Sequence, residues 1–538
     1  MHMNRFFGFL AVLLMAGCAG DTTPKTDWYG EYDALETGTP VALQYGSPDL
    51  QPGTATDNLL GAPVHRMAVM LPMSGDAADT GRAIQTAIEA ATLQSAPQNL
   101  SVAFYDTASD INTAITDALA TEPEIIIGPV FANDVRALRD AKPANTPVLS
   151  FTSDASALGD GVMTMALLPT NGTEAIVREM SADRVTGFII LAPDTESGHL
   201  MAGATQSAAE IYNIPVSGIF YYTEHDSESI KSATLAASMN AARSAANTRA
   251  REILSDILTN ERLTVIEKSS LTIQLDRMSK MDVIGELPYD AVLFLGNGDD
   301  TESLASFMRY YGVGTRDARF YGTALWDGSD ITNDLTMIGA KYSALPDMAP
   351  SFTNLYERIS GEFPNRLAGF GYDAANMAMG MIYSHKSDAA YLLDPSGYAG
   401  TAGLYRLEPN GENERALQIM QLTGNGTPIV VRNAPINFMT PIYHLQQDKI
   451  KPAAAMDLET PGVNPNDYIS IPTRLADKYE SETYGAHITK RATPTHPFET
   501  ITILPEDDRD IVITTPDFQP VNLETVNRTY IDSVEIEE

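Results

Sequence analysis

Short, uninterrupted apolar runs separated by stretches of helical period constrain this chain more than any other feature. Residues 67–71 read MAVML, with no polar break. A strand of that kind is buried on both faces, as in a parallel sheet covered by helices on each side. The run ends in PMSG, and a helix is expected from about Thr80, with Ile84, Ala87, Ile88 and Ala91 on one face. The unit then repeats: a strand over 100–105 and a helix over 110–120, then a strand over 124–127 closed by Gly128-Pro129. A helix from about Asn133 and a strand over 146–150 follow. Alternation at this spacing predicts an α/β domain with right-handed crossovers. After a crossing near Thr170 the pattern resumes. Strands are expected at 187–191, 216–222, 289–295 and 319–322, with helices near 199–212 and from about Thr301. The expectation is a two-lobed α/β fold, each lobe a parallel sheet flanked by helices.

The rest of the chain divides around that body, which is expected to span residues 63–430. Lobe one is assigned 63–175 and 330–385, and lobe two 176–329 and 390–430. Between two strands of lobe two lies an insertion, 227–281, rich in Ala, Arg, Lys, Glu and Leu and containing the amphipathic run RAREILSDIL. It reads as a helical hairpin. The chain is expected to return to lobe one with a strand over 340–345, a helix over 352–362 and an apolar helix over 372–383. Residues 399–407 and 417–422 read as a closing strand pair around the turn signal Asn410-Gly411. Residues 431–538 loosen into Pro, Thr and Asp. From 451 onward they hold 17 acidic and 7 basic residues, which reads as an acidic, partly extended tail.

Ahead of the body, Arg5 precedes the ten-residue apolar run 6–15, which is followed by Ala16-Gly17-Cys18. Ten residues are too few to span roughly 30 Å of hydrocarbon as a helix, but they suit the core of a signal peptide over residues 1–17. Cys18, the only cysteine, stands where a bacterial lipoprotein carries its acylated residue, and the surrounding residues resemble a lipobox with Met15 in place of Leu. No aspartate follows Cys18, so the periplasmic face of the outer membrane is the expected site, with Cys18 as the lipidation site. Residues 18–62 read as a flexible tether. With no other cysteine the mature chain can form no disulfide, and thiol chemistry and cysteine-based metal sites are excluded. A formal charge of −35 disfavours nucleic acid and anionic lipid surfaces.

Six segments in order carry a family resemblance: MAVMLPMSGDAADTGRAIQTAIEAA, EIIIGPVFANDV, TPVLSFTSDASALGDGV, ELPYDAVLFLGNGD, YYGVGTRDARFYGTALWDG and RLAGFGYDAANMAMGM. The first three resemble type I periplasmic binding proteins of the branched-chain amino acid class. The full set, with the charged helical insertion, is similar to the LpoA-type penicillin-binding protein activators. The resemblance covers about residues 63–425. It implies an outer-membrane lipoprotein that is not an enzyme, carries no cofactor, and binds and stimulates a bifunctional penicillin-binding protein in peptidoglycan synthesis. The alternative it leaves is a solute-binding lipoprotein delivering amino acids or peptides to an ABC transporter. The pattern departs from the family in two ways. A short tether stands where the best-known member has a helical-repeat domain, and the acidic tail is additional.

Ligands of open parallel sheets sit beyond the carboxyl ends of the strands, so the loops there supply the candidate cleft. In lobe one these are Ser74, Ser150, Thr152 and Ser153, whose hydroxyls suit a carboxylate. In lobe two they are Asp194, Ser197, Trp326 and Asp327, where a carboxylate suits an ammonium group. Trp326 fits a cleft wall and a core position equally well. Ser197-Gly198 stands where the amino-acid-binding relatives place an aromatic–Gly pair, and losing that wall weakens the amino-acid reading. Catalytic motifs are missing: no GxSxG, HExxH or P-loop is present, and the eight histidines have no ligand spacing. GFGYDA at 369–374 satisfies GxGxxA, but no strand precedes it, so close helix packing explains its glycines. Arg243, Arg249, Arg251 and Arg262 concentrate positive charge on the insertion and are the candidate partner contact.

Overall fold

The computed structural model describes residues 41–42 and 64–485, apart from 96, 261, 330, 332–333, 385, 387, 439–449, 461 and 480. The signal segment, Cys18, most of the tether and the chain beyond 485 lie outside the described residues.

Lobe one is a five-stranded sheet in the order Leu100–Asp106, His65–Leu71, Ile125–Ile127, Val148–Ser150, Val162–Thr164, with every neighbouring pair parallel. The MAVML run lies near its centre and is fully buried, as its unbroken apolarity requires. The helix Ala78–Ser95 turns back over the sheet on Ile84, Ala87, Ile88 and Ala91. It starts so close to its own strand that a Cβ at Gly81 would collide with the Pro72 carbonyl. The helices Pro350–Ser360 and Arg366–Tyr383 pack against it, and Gly371 lets the second approach the Ile84 backbone.

Lobe two is a seven-stranded sheet. Val216–Tyr222, Phe188–Pro193, Ala291–Phe294, Arg319–Gly322 and Lys341–Ala344 run parallel, and Gln418–Gln421 and Ile429–Arg432 follow antiparallel. Two expectations are corrected here. The strand at 340–345, assigned to lobe one, closes the parallel part of lobe two. Tyr342 packs its ring 5.8 Å from Trp326, and Lys341 reaches Glu179 and Asp183 at 2.8 Å each. Those carboxylates sit on and just after the helix Asn171–Ala182, which covers the same sheet and straddles the expected lobe boundary. The second correction concerns the closing pair. Gly403–Leu407 pairs with Asn413–Arg415 around the Asn410-Gly411 turn, whereas Gln418–Gln421 pairs with Lys341–Ala344.

Gly403–Leu407 and Asn413–Arg415 belong to a third, four-stranded sheet together with Tyr398–Gly400 and Val41–Ala42. Two residues of the expected tether therefore pair with the body, in the register Val41 with Tyr398 and Ala42 with Ala399.

The insertion is three helices, Ser227–Ala237, Asn240–Asn260 and Val265–Ser279. The last two fold back on each other, and the turn between them is fixed by reciprocal capping of Thr264 and Glu267. The tail differs most from expectation. Residues 450–485 are laid across lobe two and the insertion, and Leu458, Val463, Ile469, Leu475 and Tyr479 are buried in the same core as Ile253, Leu254 and Leu271 of the hairpin. Their apolar side chains are spaced irregularly along a Pro-rich stretch, so no periodicity announces them.

Candidate cleft and partner surface

The loops expected to form the cleft are engaged within the protein itself. In lobe one, Ser150 is fully buried and its hydroxyl donates to the Met163 carbonyl at 3.0 Å. Thr152 is buried too, and its Oγ1 accepts from the Asp154 amide at 3.1 Å. Ser74 and Ser153 are exposed. The Asp106 carboxyl sits below the usual carboxylate range. Its partial burial works the other way, but the Ser74 hydroxyl and the Ala108, Met73 and Ser74 amides outweigh it.

In lobe two, Trp326 is fully buried, stacked over Gly322 where no side chain would fit, with Phe294 and Tyr342 around it. It is a core residue and lines no cleft. Asp327 forms an ion pair of 3.0 Å with Arg366 at the start of a lobe-one helix, and Arg366 also donates to the Pro346 carbonyl at 2.6 Å. Ser197 is exposed in the first turn after the N-cap Thr195.

Asp194 accepts from His199 Nε2 at 2.8 Å. The other ring nitrogen, Nδ1, lies 2.7 Å from the Ala453 carbonyl in the tail, which also accepts from the Tyr221 hydroxyl at 2.8 Å. The imidazole stacks on Tyr221 at 3.9 Å between ring centroids. With acceptors at both nitrogens the doubly protonated ring is favoured, so the hydrogen bond to Ala453 and then that to Asp194 push the His199 pKa up. The tail is fastened here by backbone as well: the Ala453 amide donates to the His199 carbonyl at 2.9 Å, and Ile219 and Met456 exchange amide bonds. The passage needs Gly203, since a Cβ there would collide with the Lys451 carbonyl. Of the eight cleft candidates, only Ser74, Ser153 and Ser197 remain as exposed hydroxyls, and Asp194 is tied to the tail's own clasp.

Sequence reasoning missed the polar cluster where the chain crosses between lobes. Arg415 lies over the Phe370 ring at 4.3 Å and the Tyr405 ring at 5.1 Å, and donates to the Met165 carbonyl. Beside it Asp373, fully buried, accepts from the Thr401 amide at 2.8 Å and the Thr401 hydroxyl at 3.0 Å. Burial pushes the Asp373 carboxyl up to about 7, against the pull of Thr401 and Arg415. Asn413 adds bonds to the Thr164 and Ala166 carbonyls at 2.8 and 2.7 Å. A lone acid inside the apolar run YDAANMAM was the available signal.

On the insertion the four arginines separate. Arg243 is buried, donating to the Ser238 and Gly312 carbonyls at 3.3 Å each. It is a structural residue and offers nothing to a partner, which corrects the expectation. Arg249 is half-buried and paired with Glu252 at 3.2 Å, and Arg251 is half-buried near Thr248. Arg262 is exposed, and its carbonyl accepts from Arg474 of the tail at 2.9 Å. The tail covers one flank of the hairpin through Arg474 on Glu267, Gln274 on Ser470, and Tyr479 on Asp256 at 2.6 Å. Elsewhere on the hairpin Val265, Ile266 and Ile273 are 87%, 82% and 66% exposed. Among the described residues, no three His, Cys, Asp or Glu side chains are grouped to hold a metal ion, and no helix is long and apolar enough to cross a membrane.

Residues 54–209 match the model of a family described as "LppC putative lipoprotein". No curated protein matches the chain. Among solved structures, a branched-chain amino acid ABC transporter protein from Rhodospirillum rubrum is similar over 68% of this chain and 100% of its own, at 16% identity and a TM-score of 0.52. The C-domain of LpoA from Haemophilus influenzae, described as a regulator of PBP1A, is similar over 68% of this chain and 99% of its own, at 16% identity and a TM-score of 0.46. Full-length LpoA from the same organism is covered over 60% of its length. The fold is that of the type I periplasmic binding proteins.

Proposed function

We propose that this chain is a lipid-anchored periplasmic regulator that binds and activates a peptidoglycan synthase, without chemistry of its own. The observation that carries the reading against a solute receptor is the clasp at Asp194. The carboxylate a receptor would offer to an ammonium group is held by His199, and His199 is held by the protein's own tail. Ser150 and Thr152 are likewise spent on the backbone of lobe one. On the positive side stand the match of residues 54–209 to a lipoprotein family, the lipobox-like segment at Cys18, and the six ordered motifs with an inserted hairpin.

The synthase contact is assigned to the uncovered part of that hairpin, Val265, Ile266 and Ile273, with Arg262 beside it. Exposed apolar side chains next to an exposed arginine suit a protein interface better than a solvated face. Excising the insertion is a poor test, because Ile253, Leu254 and Leu271 share a core with the tail and the loss would spread. Val265→Asp with Ile266→Asp touches only exposed atoms. The pair is expected to leave the thermal melt within about 1–2 °C, since surface changes cost at most about 0.5 kcal/mol. It is also expected to abolish pull-down of a bifunctional penicillin-binding protein and its stimulated glycan polymerisation, PBP1A-type synthases being the first to try. Full stimulation by the folded variant would remove this surface from the proposal. A sub-micromolar amino-acid isotherm from the native protein, equivalent to more than about 8 kcal/mol, would favour the receptor instead.

A further inference from the structure

The outer strands of the two large sheets differ in how they are finished. Val216–Tyr222 carries the tail through the Ile219–Met456 bridge, and the Thr164 amide of Val162–Thr164 donates to the Gly411 carbonyl at 2.9 Å. Ile429–Arg432 has four residues, stands between Pro428 and Pro435, and breaks register with its neighbour at Ile419–Met420. Short length, proline and irregular pairing all discourage a further strand. Leu100–Asp106 has none of these devices. It has seven residues and no proline, and it keeps an unbroken register with His65–Leu71. None of the seven is buried, whereas Met67–Leu71 beside it is buried throughout.

The ladder to that neighbour fixes which backbone groups are free. The His65 amide donates to the Asn99 carbonyl at 2.8 Å, and the Thr107 amide to the Leu71 carbonyl at 2.9 Å. Backbone groups alternate sides along a strand, so Ser101, Ala103 and Tyr105 bond inward, and Leu100, Val102, Phe104 and Asp106 turn their N–H and C=O outward. Among the described residues nothing bonds to those four from the outer side. The edge is uncharged as well. Residues 90–105 contain no Asp, Glu, Lys, Arg or His in a chain that is 20% charged. Asp106, at the strand's end, already accepts from the Met73 and Ala108 amides at 2.9 and 3.0 Å. A chain of charge −35 repels its own copies over most of its surface, and a neutral edge is where that repulsion is least. A basic partner would find little there to attract it.

We propose that Leu100–Asp106 pairs antiparallel with the same strand of a second copy, across a two-fold axis at Ala103. Two five-stranded sheets then join into one of ten strands. This axis sets Val102 against Phe104 of the second copy and Leu100 against its Asp106, so outward-facing residues meet one another and every free amide and carbonyl of the strand is bonded. It also holds the two Asp106 carboxylates at opposite ends of the ladder. The closed two-fold pairing leaves this edge unable to add a third copy. The contact lies on lobe one, whereas the synthase contact proposed above lies on the lobe-two insertion, so either can fail without the other.

Sedimentation of the full chain in a Cys18→Ser background tests this. Between about 1 and 100 μM the protein is expected to pass from one copy to two. Ala103→Asp, which sets two carboxylates face to face on the axis, is expected to raise the dimer dissociation constant at least tenfold, and Ala103→Ser to leave it unchanged. A monomer throughout that range, or a dimer indifferent to Ala103→Asp, overturns the proposal. Cysteine pairs decide the register, including the case in which Ala103→Asp does not fold. Two Ala103 residues on the axis form a non-hydrogen-bonded pair with Cα atoms about 4.5 Å apart, within disulfide reach. Ala103→Cys is therefore expected to cross-link two copies on mild oxidation, and Ser101→Cys to cross-link with Tyr105→Cys but not with itself. Cross-linking through Val430→Cys and not through Ala103→Cys would assign the contact to the lobe-two edge and overturn this one.

Discussion

Asp373 carries the most consequential single side chain in the crossing region, because its neighbours satisfy it while its burial penalises its charge. Its carboxyl ordinarily titrates at 3.8 and in the fold at about 7, so the folded protein holds the proton over a range in which the unfolded chain has released it. The sign follows: stability is full below 3.8 and falls as pH rises towards 7, by on the order of 4 kcal/mol for a three-unit difference. Asp373→Asn keeps the shape and an acceptor for the Thr401 amide. Denaturant melts from pH 4 to pH 8 are expected to show the native protein losing stability across that window and the variant staying flatter. An equal slope in both would mean that Asp373 stays ionised beside Arg415. Trp326, by contrast, is an ordinary core residue. Its indole replaces the side chain Gly322 lacks, a contact that the sequence, which suits a core position and a cleft wall equally, does not reveal.

Among elements, the strap of residues 450–485 is the one with a built-in pH response. His199 joins Asp194 to the Ala453 carbonyl, and both bonds want the protonated ring. A raised pKa means the contact is complete below the ordinary value of 6.5 and fades as pH rises through the higher folded value. Protection of the amides of residues 453–456, corrected for intrinsic exchange, is expected to drop between pH 6 and pH 8. His199→Gln is expected to be less protected at pH 6 and to lose that pH dependence. A pH-independent native profile would show that the amide bonds of Ala453 and Met456 hold the strap unaided. The inserted hairpin was legible as helical because its charges and apolar residues recur along long Ala-rich runs. Which arginine faced water was not legible, since Arg243 and Arg262 are distinguished only by the neighbours Gly312 and Arg474 bring to them.

For the whole molecule, two lobes joined by three crossings form a body that lipid attachment at Cys18 would hold at the membrane. Cys18→Ser is expected to move the protein from the membrane fraction to soluble or unprocessed material. Acylation and unaltered fractionation of that variant would refute the anchor. The three crossings, near residues 165–170, 345–349 and 415–418, are laced by Arg415, Asn413 and the Asp327–Arg366 pair. Of these, the Asp327–Arg366 pair joins lobe two to a lobe-one helix, whereas Arg415 and Asn413 tie two of the crossing segments to each other.

Local sequence determined the architecture of this protein because burial on two faces demands unbroken apolar runs and helix faces demand a 3.6 period, and both are written within a few residues. The turn at Asn410-Gly411 and the glycine-rich packing of the helix Arg366–Tyr383 were readable for the same reason. Tertiary structure alone decided which sheet received Lys341–Ala344, that Gln418–Gln421 would pair with it, and that a Pro-rich tail would occupy the lobe-two clasp. Each of those depends on partners more than fifty residues away or on packing without period, and no local pattern carries information about a contact whose other half is elsewhere in the chain.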